Sequence, residues 1–165
     1  PPCQPPEGHP LYDSHLQAQE ALGARTLRRK ATFADPNEFV SRIAGRPEFR
    51  LCVNGALDDL ARAILRQASD GHWGLGCPPE YESRIYVDNV DNGMFESLAQ
   101  ITTPTMIISG TYSEQRLAFT QEMCKQGDFE LLAMSSVTHR LPMERPALIA
   151  RVARAFIDQA EAGDR

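Results

Sequence analysis

The last third of the chain alternates short apolar runs with helical patterns. Thr105, Met106, Ile107, Ile108 and Ser109 form a continuous run bounded by Pro104 and Gly110, as a buried parallel strand requires. A helical pattern follows, then a second strand-like run over 130–135. Beyond it come Val137, Thr138, His139, Arg140, Leu141 and Pro142. The chain then enters a final helix, where Ile149, Val152, Ala153, Phe156 and Ile157 share helical spacing behind Pro146. The predicted order is strand, helix, strand, histidine-bearing loop, helix.

Upstream the pattern is mostly helical. Residues 1–10 hold five prolines and a glycine, which reads as an extended linker because proline fixes φ and removes backbone donors. Residues 11–30 read as helix, with Gly23 a candidate interruption. Asp35, Pro36 and Glu38 form a helix start: a cap, a first-turn proline and a carboxylate at the third position. Leu57, Leu60, Ala61, Ile64 and Leu65 follow the i, i+3, i+4, i+7, i+8 spacing, which predicts an amphipathic helix over 57–67 stopped by Ser69, Asp70 and Gly71. Residues 73–79 read as a Gly- and Pro-rich loop, 80–87 as helix or strand, and 91–100 as helix.

Composition narrows the function classes. With 42% apolar and 24% charged residues there is material for a core. The net charge of −5 argues against a nucleic-acid partner, which would want clustered basic charge. The one basic cluster, at 25–30, reads as a solvated helix end. No apolar run approaches the roughly 18 residues of a membrane span, and no signal peptide is apparent. Cys3, Cys52, Cys77 and Cys124 show no paired spacing, so they are expected to be reduced thiols in a cytoplasmic protein. His72 and Cys77 lie close, but two ligands without a second pair do not make a zinc site. No metal and no cofactor are expected.

The strand, helix, strand, His-loop, helix order resembles the C-terminal end of an α/β-hydrolase. The middle of the chain carries a second, more specific resemblance, to the helical cap of one branch of that family. A basic stretch at Arg28, Arg29 and Lys30 precedes Phe33, Arg46-Pro47-Glu48-Phe49 follows, and Asp70-Gly71-His72-Trp73-Gly74-Leu75-Gly76-Cys77-Pro78-Pro79-Glu80-Tyr81-Glu82 closes the block. The family cap reads D-G-x-x-x-L-x-C-x-P-E-x-E at that last place. The resemblance implies a linker at 1–10, a cap at 11–90, and the C-terminal part of a hydrolase core at 91–165. The implied fold is α/β, mostly helical, with a short remnant of the parallel sheet.

In that family the loop after the last strand carries the catalytic histidine, and here His139 occupies it. The triad acid is less plain. Ser113 stands where many relatives have aspartate, and Glu114 is one residue later. Glu114 is either that acid or the end of a T-x-x-E capping box begun by Thr111. Phe33, Phe49, Trp73 and Tyr86 are the candidate substrate-lining aromatics of the cap, and equally candidates for its core. No nucleophile elbow, G-x-S-x-G or a variant, occurs in the chain. Ser69 with Gly71 is only half of one and sits at a helix stop.

Two strands alone make a poor parallel sheet, because both edges and both faces need cover. The expectation is therefore a partner carrying the N-terminal half with the nucleophile, or self-association through the open sheet edge. The expected function is hydrolysis of a small ester, amide or similar acyl substrate. The alternative is a non-catalytic binding or scaffold protein derived from the same fold.

Overall fold

The computed structural model describes residues 4–88 and 93–163. Cys3 and the first two residues of the expected 91–100 helix lie outside them. The fold is α/β and mostly helical, and it divides into two compact units. One comprises the described parts of Pro1–Arg50 and Asn54–Phe95, the other those of Leu51–Val53 and Glu96–Arg165. Among the described residues no helix is long and apolar enough to cross a membrane.

The first unit holds α1 (Tyr12–Leu27), β1 (Thr32–Phe33), α2 (Pro36–Ala44), a 3-10 turn at Pro47–Phe49, α3 (Ala56–Ile64), β2 (Leu65–Gln67), β3 (Trp73–Leu75) and α4 (Pro79–Val87). α1 packs against α4, and α2 against α3. Gly23 does not break α1. It lies close against α4: a Cβ there would lie 2.8 Å from Val87 Cγ2, and Ser83 Oγ donates to the Gly23 carbonyl at 3.0 Å. The start of α2 forms as expected. Asp35 Oδ1 accepts from Glu38 N at 2.9 Å, and Glu38 reaches back to Ala34 N at 2.8 Å. The segment 80–87, open between helix and strand by pattern, is helical within α4.

Three expectations fail here. The helix over 57–67 stops at Ile64, and Leu65–Gln67 is strand instead. The expected loop at 73–79 begins as the central strand β3, which pairs antiparallel with β1 on one side and β2 on the other. Leu65 satisfies both patterns, since it is buried in either, and cross-strand pairing with Leu75 decides. Asp70 and Gly71 are hairpin turn residues rather than a helix stop: Asp70 Oδ1 accepts from His72 N at 3.0 Å, and Gly71 N donates to Ala68 O at 3.0 Å. Gln4 and Pro5, within the expected linker, are buried.

α5 (Met94–Ser97) and a 3-10 turn at Leu98–Gln100 lead into the second unit. There β4 (Thr105–Gly110), α6 (Glu114–Gln126), β5 (Phe129–Met134), α7 (Leu141–Glu144) and α8 (Pro146–Ala162) follow in the expected order, with α7 an addition. β4 and β5 run parallel, in register from Thr105 opposite Phe129 to Gly110 opposite Met134. α6 is the crossover and packs on both strands. Cover is incomplete among the described residues. Met106, Ile107, Ile108, Leu131 and Leu132 are only half-buried, and no residue of α8 is buried although its face is apolar.

Candidate functional site

The second unit is organised around the loop from β5 to α7. Met134 ends the strand, Ser136 takes a left-handed φ of 58°, and the chain turns back over the carboxyl end of β4. Ser135 and Ser136 are exposed, whereas Val137 is 1% exposed and anchors the turn in the core. Tyr112 N donates to Val137 O at 3.3 Å, and Thr111 N to Met134 O at 3.0 Å. Gly110 lies directly under the loop. A Cβ there would overlap the carbonyl oxygens of Val137 and Thr138, so only glycine permits the approach.

His139 therefore sits on a loop after the second parallel strand, at the same sheet end as Gly110. Its residue surface remains open to solvent. No hydrogen bond or ion pair holds its imidazole among the described residues. Partial removal from water lowers its pKa first, the cations Arg116 and Arg140 lower it further, and the Glu144 carboxylate pulls the other way. His15 in the first unit is likewise lowered by burial. The native protein thus binds fewer protons than the unfolded chain around the ordinary histidine value of 6.5. Stability is full above that pH and is lost as pH falls through it. Urea midpoints should decline from pH 7.5 towards lower pH over about the range below 6.5. Replacing both His15 and His139 by asparagine should flatten that slope; an unchanged slope would mean that other groups cause it.

Glu114 does not complete a capping box. The cap of α6 is Ser113, whose Oγ accepts from Arg116 N at 3.3 Å, and Glu114 is the first helical residue. Its carboxylate is exposed and takes no hydrogen bond among the described residues, either from the backbone at Thr111 or from His139. A serine whose side chain is extended to N3 outcompetes a threonine two residues earlier, because capping requires non-helical φ/ψ immediately before the first turn. Ser113→Ala should then cost about 0.5–1 kcal/mol of stability, at the low end for an exposed cap, while Glu114→Ala costs less. Thermal melts of the two variants check this ordering, and a larger loss for Glu114→Ala would reverse it.

The four aromatic candidates all fall in the first unit. Phe33 and Phe49 are buried, and Phe33 meets Phe39 edge-on with ring centroids 5.3 Å apart. Both rings serve the core of that unit. Trp73 and Tyr86 are half-exposed. Trp73 stands opposite Phe33 and Gln67 on the central strand. Tyr86 donates to Glu82 Oε1 at 3.2 Å, and Glu82 also pairs with Arg29. Burial and the Glu82 carboxylate raise the Tyr86 pKa, so it remains a neutral hydroxyl at neutral pH.

Glu144 was not singled out by its sequence context, yet it is 0% exposed. It accepts from Thr138 N at 2.8 Å and from the Thr138 hydroxyl. Its sequence context is Pro142-Met143-Glu144-Arg145-Pro146, between the His139 loop and the final helix. The segment Leu51–Val53 joins α7 through Val53 N donating to Met143 O at 2.9 Å. Cys52, beside it, has its thiol pKa raised by burial and then by Glu144. It is therefore a poor thiolate nucleophile.

No protein-family model and no curated protein matches the chain. Its fold is similar to that of solved α/β-hydrolases. E-2-(acetamidomethylene)succinate hydrolase matches with a TM-score of 0.65 at 19% identity, over 88% of this chain and 53% of that one. MenH from S. aureus matches with a TM-score of 0.55 at 15% identity, over 90% and 53%. The peroxisomal alpha-beta-hydrolase Lpx1 from Saccharomyces cerevisiae matches with a TM-score of 0.62 at 14% identity, over 85% and 40%. The chain spans about half the length of the solved chains it matches. At these identities the likeness is one of fold: the chain has the architecture of part of an α/β-hydrolase.

Proposed function

We propose that this chain supplies the catalytic histidine and the cap of an α/β-hydrolase acting on a small ester, amide or similar acyl substrate. The nucleophile would come from an N-terminal half that these 165 residues do not include. The observation that carries this reading is the His139 loop, which crosses the end of β4 at Gly110 on the carboxyl side of both parallel strands. A general base must start neutral, and the lowered pKa of His139 keeps it so at neutral pH. His139 would take the proton from the nucleophile and return it to the leaving group. An elbow serine and at least one oxyanion donor would come with the other half.

The half-buried apolar strands and uncovered α8 support such a partner. β4 bears no charged side chain, whereas β5 has Glu130 exposed on it, so β4 is the edge suited to receive another strand. Self-association through that edge is what the isolated chain would do instead. Trp73 and Tyr86 are the cap aromatics with surface to offer a substrate, while Phe33 and Phe49 hold the cap together. Glu114 is available as the acid only if assembly brings its carboxylate to His139.

A second reading, a non-catalytic binding or scaffold protein on this fold, is favoured by Ser113, which caps a helix where relatives have aspartate. The test is co-expression with an N-terminal half bearing G-x-S-x-G. Labelling of the elbow serine by a fluorophosphonate, with turnover of p-nitrophenyl acetate that depends on His139, is expected. A stable complex without either would favour the scaffold.

A further inference from the structure

Burying a carboxylate is costly unless strong hydrogen bonds compensate it, and an apolar side chain could fill the same space more cheaply. The Glu144 carboxylate is wholly buried, and both of its oxygens are engaged by one residue. Oε2 accepts from the backbone N–H of Thr138 at 2.8 Å, and Oε1 accepts from its hydroxyl. Thr138 Oγ1 in turn accepts from Arg140 N at 3.1 Å. The residues on either side of His139 are therefore tied through one carboxylate. Glu144 itself is fixed by α7, whose own turn is closed by Glu144 N donating to Arg140 O at 3.1 Å. Val53 N, donating to Met143 O, ties α7 to the segment Leu51–Val53, distant in sequence. With Val137 buried and Gly110 beneath, the backbone at His139 is held from each side, although no hydrogen bond holds its ring among the described residues.

We infer that Glu144 is a positioning residue for His139, acting through Thr138: a buried carboxylate that fixes the backbone of the histidine loop so that the imidazole needs no hydrogen bond of its own to stay in place. The purpose assigned to this clamp rests on the catalytic reading of His139, but the clamp itself does not. Among the described residues, the charged groups that act on the imidazole are Arg116 from α6, Arg140 from the loop and Glu144 from α7. Of these, Glu144 accepts hydrogen bonds from the backbone N–H and the hydroxyl of Thr138, next to His139.

The experiment uses the isolated chain, so it does not depend on turnover. Amide exchange at Thr138 and Arg140, and the NMR titration of the His139 ring, are compared in the parent, Glu144→Ala, Glu144→Gln and Thr138→Val. Glu144→Ala should speed Thr138 exchange by about 10- to 100-fold, the loss expected for a hydrogen bond to a charged group. It should also broaden the His139 ring signals while the amides of β4 and β5 keep their protection. Glu144→Gln keeps one acceptor oxygen for the Thr138 N–H without the charge. It should restore slow exchange at Thr138 yet move the His139 titration midpoint downward. If Glu144→Ala lowers the melting temperature but leaves Thr138 exchange and the His139 ring unchanged, Glu144 only fills space and the inference is overturned. Should Glu144→Ala fail to fold, Thr138→Val decides: it must release the Arg140 amide and alter the His139 ring signals, and unchanged spectra overturn the inference. A reassembled enzyme without turnover would sink the catalytic reading and leave these shifts in place.

Discussion

The purified chain is expected to show no turnover of p-nitrophenyl acetate above the uncatalysed rate. It has no elbow serine: Ser69 lies in the β2–β3 hairpin turn, and Ser109 is buried in β4 with its hydroxyl facing its neighbour's carbonyl at 3.5 Å. Cys52 and Cys124 have raised thiol pKa values through burial. Together with an N-terminal half, the same chain should support hydrolysis, and His139→Ala should then lower kcat by about 10⁴-fold or more, since the base and the nucleophile act as a unit. Substrate binding should change little, because a general base acts on the proton transferred in the transition state and not on the bound ground state. Two results would count against this. Serine-phosphonate-sensitive activity in the isolated chain would reveal a nucleophile that has been misread. An active assembly indifferent to His139→Ala would remove the histidine from the mechanism.

Where the structure followed the sequence, the information was local and redundant. β4 is an apolar run framed by Pro104 and Gly110, and α2 carries a cap, a first-turn proline and a returning carboxylate. α8 repeats its apolar residues at helical spacing over 17 residues. Each signal can be read without knowing what lies across from it. The strands β2 and β3 could not be read that way. Each has three residues, and their pairing through the Asp70 turn is visible only once the chain folds back. Leu65 fits the helical spacing and the buried strand alike, so periodicity favoured the longer element. The same limit governs the site. The loop position of His139 after β5 was legible because the strand, loop, helix order resembles the end of an α/β-hydrolase. Glu144 was not, since its burial depends on Thr138, whose own orientation depends on the loop above Gly110. The T-x-x-E pattern at 111–114 misled because a competing cap, Ser113, sits inside it.

Gly110→Val is expected to be the most damaging single substitution in the second unit. The glycine ends β4 opposite Met134, and its Cα faces the backbone of Val137 and Thr138. A Cβ would overlap two carbonyl oxygens. Backbone atoms cannot rotate away as a flexible side chain can. The loop itself is held by Val137 in the core, by Tyr112 N and by the Glu144 carboxylate. Relief therefore requires either separation of the loop from β4 or a shift of the strand against α6. Either should cost about 3 kcal/mol, the upper part of the range for overpacking. Gly45→Ala is the control: that position has a φ of −78° and open space where the Cβ would go, so its change should stay within about 0.5 kcal/mol. Urea unfolding followed by far-UV circular dichroism compares the two. In the reassembled enzyme, a loop displaced by about 1 Å should also lower turnover roughly 100-fold, since the imidazole would no longer meet the nucleophile. Gly110→Val as stable as Gly45→Ala would show that the loop yields easily, and then neither Gly110 nor Glu144 could be what keeps His139 in place.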